Sequence, residues 1–387
     1  MKIALVLPSD FGMWRFRKGL IKTLMEKGNQ VYLITPPGPY VAKLTTLGVT
    51  HISMPMYRFF SPFQDIRLGI SLYKVFRKEQ FDIVHNMTIK PVLYGSIAAK
   101  IAGINKIVGL ISGMGFLFSA GSSVKISSMR MVVEALLRMS FVFCDRVWVQ
   151  NPDDIDYMVS KKLISRGKTV LIKGSGVDLD EFSVSNITED VKNKIRKEFD
   201  INEINKVVTM IAARLVWPKG VSEFLKAGKI LTEKYNNVKF ILVAPIELQS
   251  PETVPMEFVQ AYCSSNVIAV MDFRDDVKEI MAISDIVVLP SYYKEGVPRV
   301  LLEALALGKP IITADTSGCR EAVEDGYNGF IVPPKDCTLL AEAIEKCIIN
   351  EQIRLLFSKN SRKKAEKEFD ERDVVKRAMK ELYGVIV

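Results

Sequence analysis

Two carboxylates eight positions apart, Glu295 and Glu303, stand on either side of Val297-Pro298, which reads as the opening of a helix. Earlier in the chain, Arg214 and Lys219 lie five positions apart at the end of another apolar run. An arginine fork and a lysine point charge at a strand–helix junction clamp a diphosphate. The mouth of a helix adds unpaired N–H groups and the positive end of its dipole, here through Val300 and Leu301. Carboxylates beside such an anion site repel the ligand unless they accept hydrogen bonds from neutral hydroxyls. A ligand carrying phosphates, with a sugar at each end, satisfies all of these groups.

The elements that must position them are legible nearby. Asp285 to Pro290 (DIVVLP) is an apolar strand that runs into the polar loop holding Glu295. Leu301, Leu302, Leu305 and Ala306 give the following helix an apolar face, and Gly308 with Pro310 stops it. Lys206 to Ala213 is the strand that delivers Arg214, and Val238 to Ala244, Val267 to Phe273 and Phe330 to Val332 continue the alternation. The first half opens the same way. Lys2 to Leu7 is a strand, Ser9-Asp10-Phe11-Gly12 a turn, and a helix begins near Met13. Strands at Gln30 to Thr35, Phe81 to His85, Lys106 to Ile111 and Arg146 to Gln150 follow. The pattern predicts an α/β chain with doubly wound sheets, whose ligands gather at strand C-termini. Gly12 serves as a close-approach position for a diphosphate or as an ordinary turn glycine. Asp10 reads first as a helix-entry residue and secondarily as an acceptor contact. His85, expected at a strand end, and Lys90 after it are candidates to line an acceptor site, as are Gly113 and Gly115.

The length of 387 residues suits two domains, each with its own core. Residues 1–185 hold 24 Lys+Arg against 13 Asp+Glu, whereas the remainder holds 29 against 31. A basic first half beside a neutral second half points to an acidic partner for the first domain, with nucleic acid or anionic lipid both fitting. Five cysteines without a C-x-x-C pair argue against a disulfide framework or zinc site and suit a reducing cytosol. The opening MKIALVLPSD reads as a strand, not a signal peptide, and no apolar run is long enough to span a bilayer. Two stretches mix aromatic with basic residues. One carries Arg15, Arg17 and Lys18 beside Trp14 and Phe16; the other carries Phe59, Phe60 and Phe63. Both read either as packing under loops or as an interfacial patch on anionic lipid.

The text EGVPRVLLEALALGKPII, with Glu295 and Glu303 separated by seven residues, and the following TSGCREAVEDGYNGFIVPPKD resemble the family-four retaining glycosyltransferases of the GT-B fold. Within that family the wording resembles capsule, O-antigen and glycan-assembly enzymes, notably polyprenyl-diphosphate-linked N-acetylgalactosaminyltransferases. The resemblance implies two Rossmann-like domains facing across a cleft. They are residues 1–182 for the acceptor and membrane and 183–365 for the nucleotide sugar, with 366–387 as a helix crossing back. It implies that Arg214 and Lys219 neutralise the leaving diphosphate, that Glu295 orients the donor sugar and that Glu303 holds the ribose. Gly12 lies near the diphosphate, and the loop of Arg274 meets the base. Many members place a histidine after the strand ending at Ile111; here the position is Ser112, which removes a first-domain histidine from that role. Asp178-Leu179-Asp180 matches the family's interdomain connector and is read as a hinge, so no metal or other cofactor is expected. The implied function is α-linked transfer of a sugar, best N-acetylhexosamine, from a UDP-sugar to a polyprenyl-diphosphate-linked saccharide. It would be carried out in the cytoplasm on the inner face of the cell membrane, with no nucleic acid partner. A soluble sugar acceptor and a non-enzymatic nucleic-acid binder are the alternatives.

Overall fold

Short apolar runs without polar alternation form strands buried on both faces, which is the condition of a parallel sheet covered by helices. The computed structural model describes residues 1–57, 61–115, 118, 124–247 and 250–385. The chain divides into two units, Met1–Gly176 with Glu371–Val387, and Val177–Asp370.

In the first unit the strands are β1 (Lys2–Val6), β2 (Gln30–Thr35), β3 (Thr50–Ser53), β4 (Ile83–Met87), β5 (Lys106–Ile111), β6 (Arg146–Val149) and β7 (Thr169–Leu171). Their order is β3-β2-β1-β4-β5-β6-β7, parallel throughout. Side chains of β1 alternate between two cores. Ile3 and Leu5 meet the helix Asp10–Glu26 through Met13, Leu20 and Ile21, while Ala4 and Val6 share the other core with Leu68, Leu72 and Phe76 of the helix Pro62–Glu79. The helices Asp10–Glu26 and Pro62–Glu79 therefore cover opposite faces of one sheet. The last segment of the chain closes the first of these cores with Val375, Met379, Leu382 and Tyr383. Its arrival is fixed by Gly176, whose φ of +77° and close approach to Glu371 (2.6 Å from a would-be Cβ to the Cα) leave no room for a side chain.

The second unit repeats the architecture with β8 (Lys206–Ile211), β9 (Val238–Val243), β10 (Val267–Val270), β11 (Ile286–Leu289), β12 (Ile311–Ala314) and β13 (Gly329–Val332). Their order is β10-β9-β8-β11-β12-β13, again parallel. Both units are thus Rossmann-like α/β domains, the expected class. In each, the chain leaves a central strand in one direction and returns to build the other half. The reversal falls between β1 and β4, and between β8 and β11. Loops after such strand pairs separate and leave a crevice for ligands.

Candidate active site

The reversal point of the second sheet is where the chemistry-bearing residues meet. Lys219 follows β8 and Glu295 follows β11, and Lys219 Nζ donates to Glu295 Oε2 at 2.7 Å with both side chains largely buried. Ser291 Oγ donates to the other oxygen of Glu295 at 2.8 Å, so each carboxylate oxygen has a fixed donor. The two loops are tied to each other by Tyr292 N–H on the Pro218 carbonyl (2.9 Å). Gly220 makes this approach possible: its φ is +82°, and a Cβ there would lie 2.3 Å from the Pro290 carbonyl oxygen. From the other side, Gly318 lies against the loop so closely that a Cβ would fall 1.2 Å from the Gly296 carbonyl oxygen. Thr316 Oγ1 donates to the Ser291 carbonyl at 2.9 Å, completing the brace.

Arg214 sits against the same loop, its guanidinium 5.9 Å from the Tyr293 ring centre and 3.0 Å from Glu247 Oε2. Glu247 escaped the sequence reading, because a lone acid after an apolar strand carries no pattern. Ser291, Gly220 and Gly318 were missed for the same reason, although a glycine directly after a lysine at a strand–helix junction was a usable signal. The site helix runs over Arg299–Ala306 with Pro298 before it, one position later than the sequence suggests. No side chain caps its start. Of the two amides proposed at its mouth, Leu301 N–H is closed onto the Pro298 carbonyl at 3.0 Å, which leaves that of Val300. Glu303 lies in the second turn, buried, with Oε1 accepting from Arg299 Nε at 3.2 Å. Burial raises the pKa of Glu252, against the pull of Arg214, and pushes the Cys319 thiol beside Glu295 up to about 11. Cys319 is therefore a packed neutral thiol beneath the loop.

The Arg274 side chain, in the loop expected to meet the base, is engaged within its own unit. Its guanidinium grips Asp276 through two bonds (2.7 and 2.6 Å) and Glu198 of the helix Glu189–Glu198 through two more, which holds its pKa well above the usual arginine range. Its donors serve the fold of the loop.

The candidates of the first unit separate into two groups. Gly113 and Gly115 follow β5 with φ of +116° and +75°, a backbone that favours glycine at a strand C-terminus. Thr88, just beyond β4, holds φ at +74°, costly for a β-branched residue, and its N–H bonds the Leu110 carbonyl at 2.8 Å. The others are structural. Gly12 is inside the helix Asp10–Glu26, not in a turn, and its N–H is capped by Ser9 Oγ at 2.9 Å. Asp10 begins that helix and accepts from Tyr40 N–H at 2.8 Å, pinning the loop after β2. Lys90 pairs with the buried Asp65 at 2.6 Å and so does not line an open site. His85 lies in the middle of β4, not at its end, with 0 % exposure. Its Nδ1 shares a 2.6 Å hydrogen bond with the Tyr383 hydroxyl, and Nε2 has no partner among the described residues. Burial, reinforced by nearby Arg17, lowers its pKa to about 3. Arg17 itself is 4 % exposed with its guanidinium 4.8 Å from the Trp148 ring centre, so it faces the core and no membrane. Arg15 and Lys18 on the same helix are half-buried. Phe59 and Phe60 lie outside the described residues, and Phe63 stands 86 % exposed.

Among the described residues, no cluster of three or more His, Cys, Asp or Glu is placed to hold a metal ion. Asp178 instead turns onto its own backbone, accepting from the N–H groups of Asp180 and Glu181 at 3.0 and 2.9 Å. No helix among the described residues is long and apolar enough to cross a membrane.

Residues 191–364 match the family described as glycosyl transferases group 1, and residues 2–151 match the glycosyl transferase 4-like family. The N,N'-diacetylbacillosaminyl-diphospho-undecaprenol alpha-1,3-N-acetylgalactosaminyltransferase of Campylobacter jejuni is 30% identical over 100% of this chain and 99% of its own. The UDP-Gal:alpha-D-GlcNAc-diphosphoundecaprenol alpha-1,3-galactosyltransferase of Escherichia coli is 28% identical over 84% of this chain and 81% of its own. Among solved structures, Anabaena Alr3699/HepE in complex with UDP-glucose superposes with a TM-score of 0.78 at 21% identity, over 100% of both chains.

Proposed function

The chain belongs to the family-four-type glycosyltransferases of the GT-B fold, and from that premise we propose that it transfers a sugar from a UDP-sugar to a saccharide carried on a polyprenyl diphosphate, with retention and an α-linkage. The favoured sugar is N-acetylhexosamine, with N-acetylgalactosamine first, because the Campylobacter jejuni relative aligned end to end is named for that transfer. The observation that carries the reading is the bracing of Lys219, Glu295 and Ser291 at the strand reversal of the second sheet. The second unit takes the donor, and the first takes the acceptor at the inner face of the cell membrane.

Breaking the bond to the donor sugar builds charge on the departing diphosphate, so stabilising that charge is the main electrostatic task. Lys219, Arg214 and the Val300 amide supply it, which makes the reaction independent of a metal. A phosphate oxygen replaces Oε2 of Glu295 as partner of Lys219. The carboxylate, still held by Ser291, then accepts from the sugar hydroxyls and orients the ring. Glu303 accepts from the ribose hydroxyls. The leaving phosphate oxygen assists removal of the acceptor proton on the same face of the sugar; a covalent intermediate on Glu295 is the alternative route.

The deciding experiment incubates the purified protein with a panel of UDP-sugars and a polyprenyl-diphosphate saccharide, and identifies the product by mass spectrometry and anomeric coupling. UDP-N-acetylgalactosamine should be the best donor and the new linkage α. Transfer to free sugars with none to the lipid-linked acceptor would replace this reading with a soluble-acceptor enzyme.

A further inference from the structure

The helices on one side of the first sheet form a layer. The helix Pro62–Glu79 packs beside Ser96–Ile101, and that one beside Val124–Phe143, all seated on the core that holds Leu72, Phe76, Ala98, Leu137 and Phe141. What faces away from that core is unusual. On Pro62–Glu79 the outward side presents Phe63, Ile66 and Ile70 (86%, 60% and 51% exposed), spaced for one helical stripe. The same stripe continues as Arg67, Lys74, Arg77 and Lys78, all exposed. Its two acids are turned away: Asp65 is buried against Lys90, and Glu79 pairs with Lys2. On Val124–Phe143 the outward side shows Met131 and Val142 (69% and 65% exposed) with Val132, Met139 and Arg138. Its one acid, Glu134, accepts from Tyr157. Among the described residues of these three helices no acidic side chain is exposed.

We infer that this helical face is a docking surface for an anionic phospholipid bilayer. The inference deepens the proposed function, on which its purpose rests, by naming the surface that meets the membrane. Exposed apolar side chains beside cations, with no exposed acid among the described residues of these helices, fit headgroup phosphates above an acyl boundary. A nucleic acid offers the cations a partner but leaves the exposed apolar side chains in water. The gradient along Pro62–Glu79 also sets an orientation. Asp65 in the first turn of the helix pairs with Lys90, just past the end of β4, so the helix's apolar end, Phe63 to Ile70, lies at the edge formed by the strand C-termini. The purely cationic end, Lys74 to Lys78, lies at the opposite edge. Docking inserts the strand-end edge deepest, which brings Thr88, Gly113 and Gly115 toward the bilayer surface, where the headgroup of a lipid-linked acceptor stands.

The test is flotation of the full chain with phosphatidylglycerol vesicles and with phosphatidylcholine vesicles. The wild-type protein should float with the first and not the second, and high salt should release it. Lys74→Gln with Arg77→Gln should weaken binding about 25-fold, at about fivefold per cation. Ile66→Ser with Ile70→Ser should weaken it at least tenfold. All four residues are exposed, so circular dichroism and transfer to an acceptor dispersed in detergent should match wild type. Wild-type protein that stays unbound at low salt, or variants that float as well as it does, would overturn the proposal. A concentration-dependent dimer abolished by Ile70→Ser, without flotation, would reassign the face to a second copy and overturn it too. Normal transfer in detergent with no flotation sinks only the docking surface; no transfer in either medium sinks the enzymatic reading.

Discussion

Gly318 offers the sharpest test of how the site is held. A methyl group at that position would begin 1.2 Å from the Gly296 carbonyl oxygen and 2.8 Å from that of Glu295. Both are backbone atoms, so no rotamer change relieves the clash. The carbonyl must retreat by about 1.8 Å to reach 3.0 Å, below which real Cβ contacts are essentially not found. The loop that must move is the one carrying Glu295, whose carboxylate is set by Lys219 at 2.7 Å and Ser291 at 2.8 Å. Misplacing a positioning group by about 1 Å costs about 100-fold in rate. Gly318→Ala should therefore lower kcat by about 100- to 1000-fold, and overpacking should cost about 1–3 kcal/mol of stability. Steady-state turnover with a UDP-sugar, together with thermal unfolding, measures both. Gly167→Ala, where nothing lies within 4 Å of the new methyl, is the matched control and should be neutral. If Gly318→Ala fails to fold, Ser291→Ala removes one of the two donors to Glu295 with little change in shape and should still cost roughly tenfold in turnover. Full activity in a folded Gly318→Ala protein would refute the claim that this contact positions Glu295.

Further outcomes follow from the same geometry. Lys219→Ala removes the cation proposed to meet the departing diphosphate and leaves Glu295 without its partner, so turnover should fall by about 100- to 1000-fold while the circular dichroism spectrum is unchanged. Glu303→Gln should raise the KM for the nucleotide sugar and lower turnover by at least tenfold, read in initial-rate kinetics; unchanged kinetics would remove it from the ribose. If Arg214 and Lys219 carry the neutralising charge as proposed, chelation with EDTA should leave the rate within twofold; a loss restored by a divalent cation would reverse that. The pKa of His85 falls from 6.5 to about 3 on folding, so the unfolded chain binds the extra proton between those values. Its stabilising contribution is complete above about pH 6.5 and is lost as pH falls toward 3, by up to about 1.4 kcal/mol per pH unit. Urea unfolding at pH 7 and pH 5 should show a difference of about 2 kcal/mol that His85→Gln abolishes.

How far these groups could be read from the sequence depended on what each one's role requires of its neighbours. Central strands such as Ile286–Leu289 are buried on both sides and announce themselves as unbroken apolar runs. The two edge strands of the first sheet do not: β3 is Thr-His-Ile-Ser, half-wet, and β7 is three residues long, and neither stands out as an apolar run. Lys219 and Glu295 were legible because a charge at the end of an apolar strand must have a reason. Whether that reason is a ligand or a packed partner is a tertiary question, and the sequence answered it unevenly. Arg274 and Lys90 carried the same local signal as Lys219, yet Glu198 lies 76 positions from Arg274 and Asp65 lies 25 from Lys90. Arg17 belonged by pattern to a cationic patch, but Trp148, on a strand more than a hundred residues later, draws it inward. Of the residues that hold the site without touching the chemistry, Gly220 is marked only by following a lysine at a strand–helix junction and Gly318 by nothing in its neighbours, because their role is to be small where two backbones cross. What distinguishes Lys219 from the other cations is therefore its position. It is the buried one whose acidic partner lies on the opposite loop of a strand-order reversal, the place where a parallel sheet leaves a crevice for ligands.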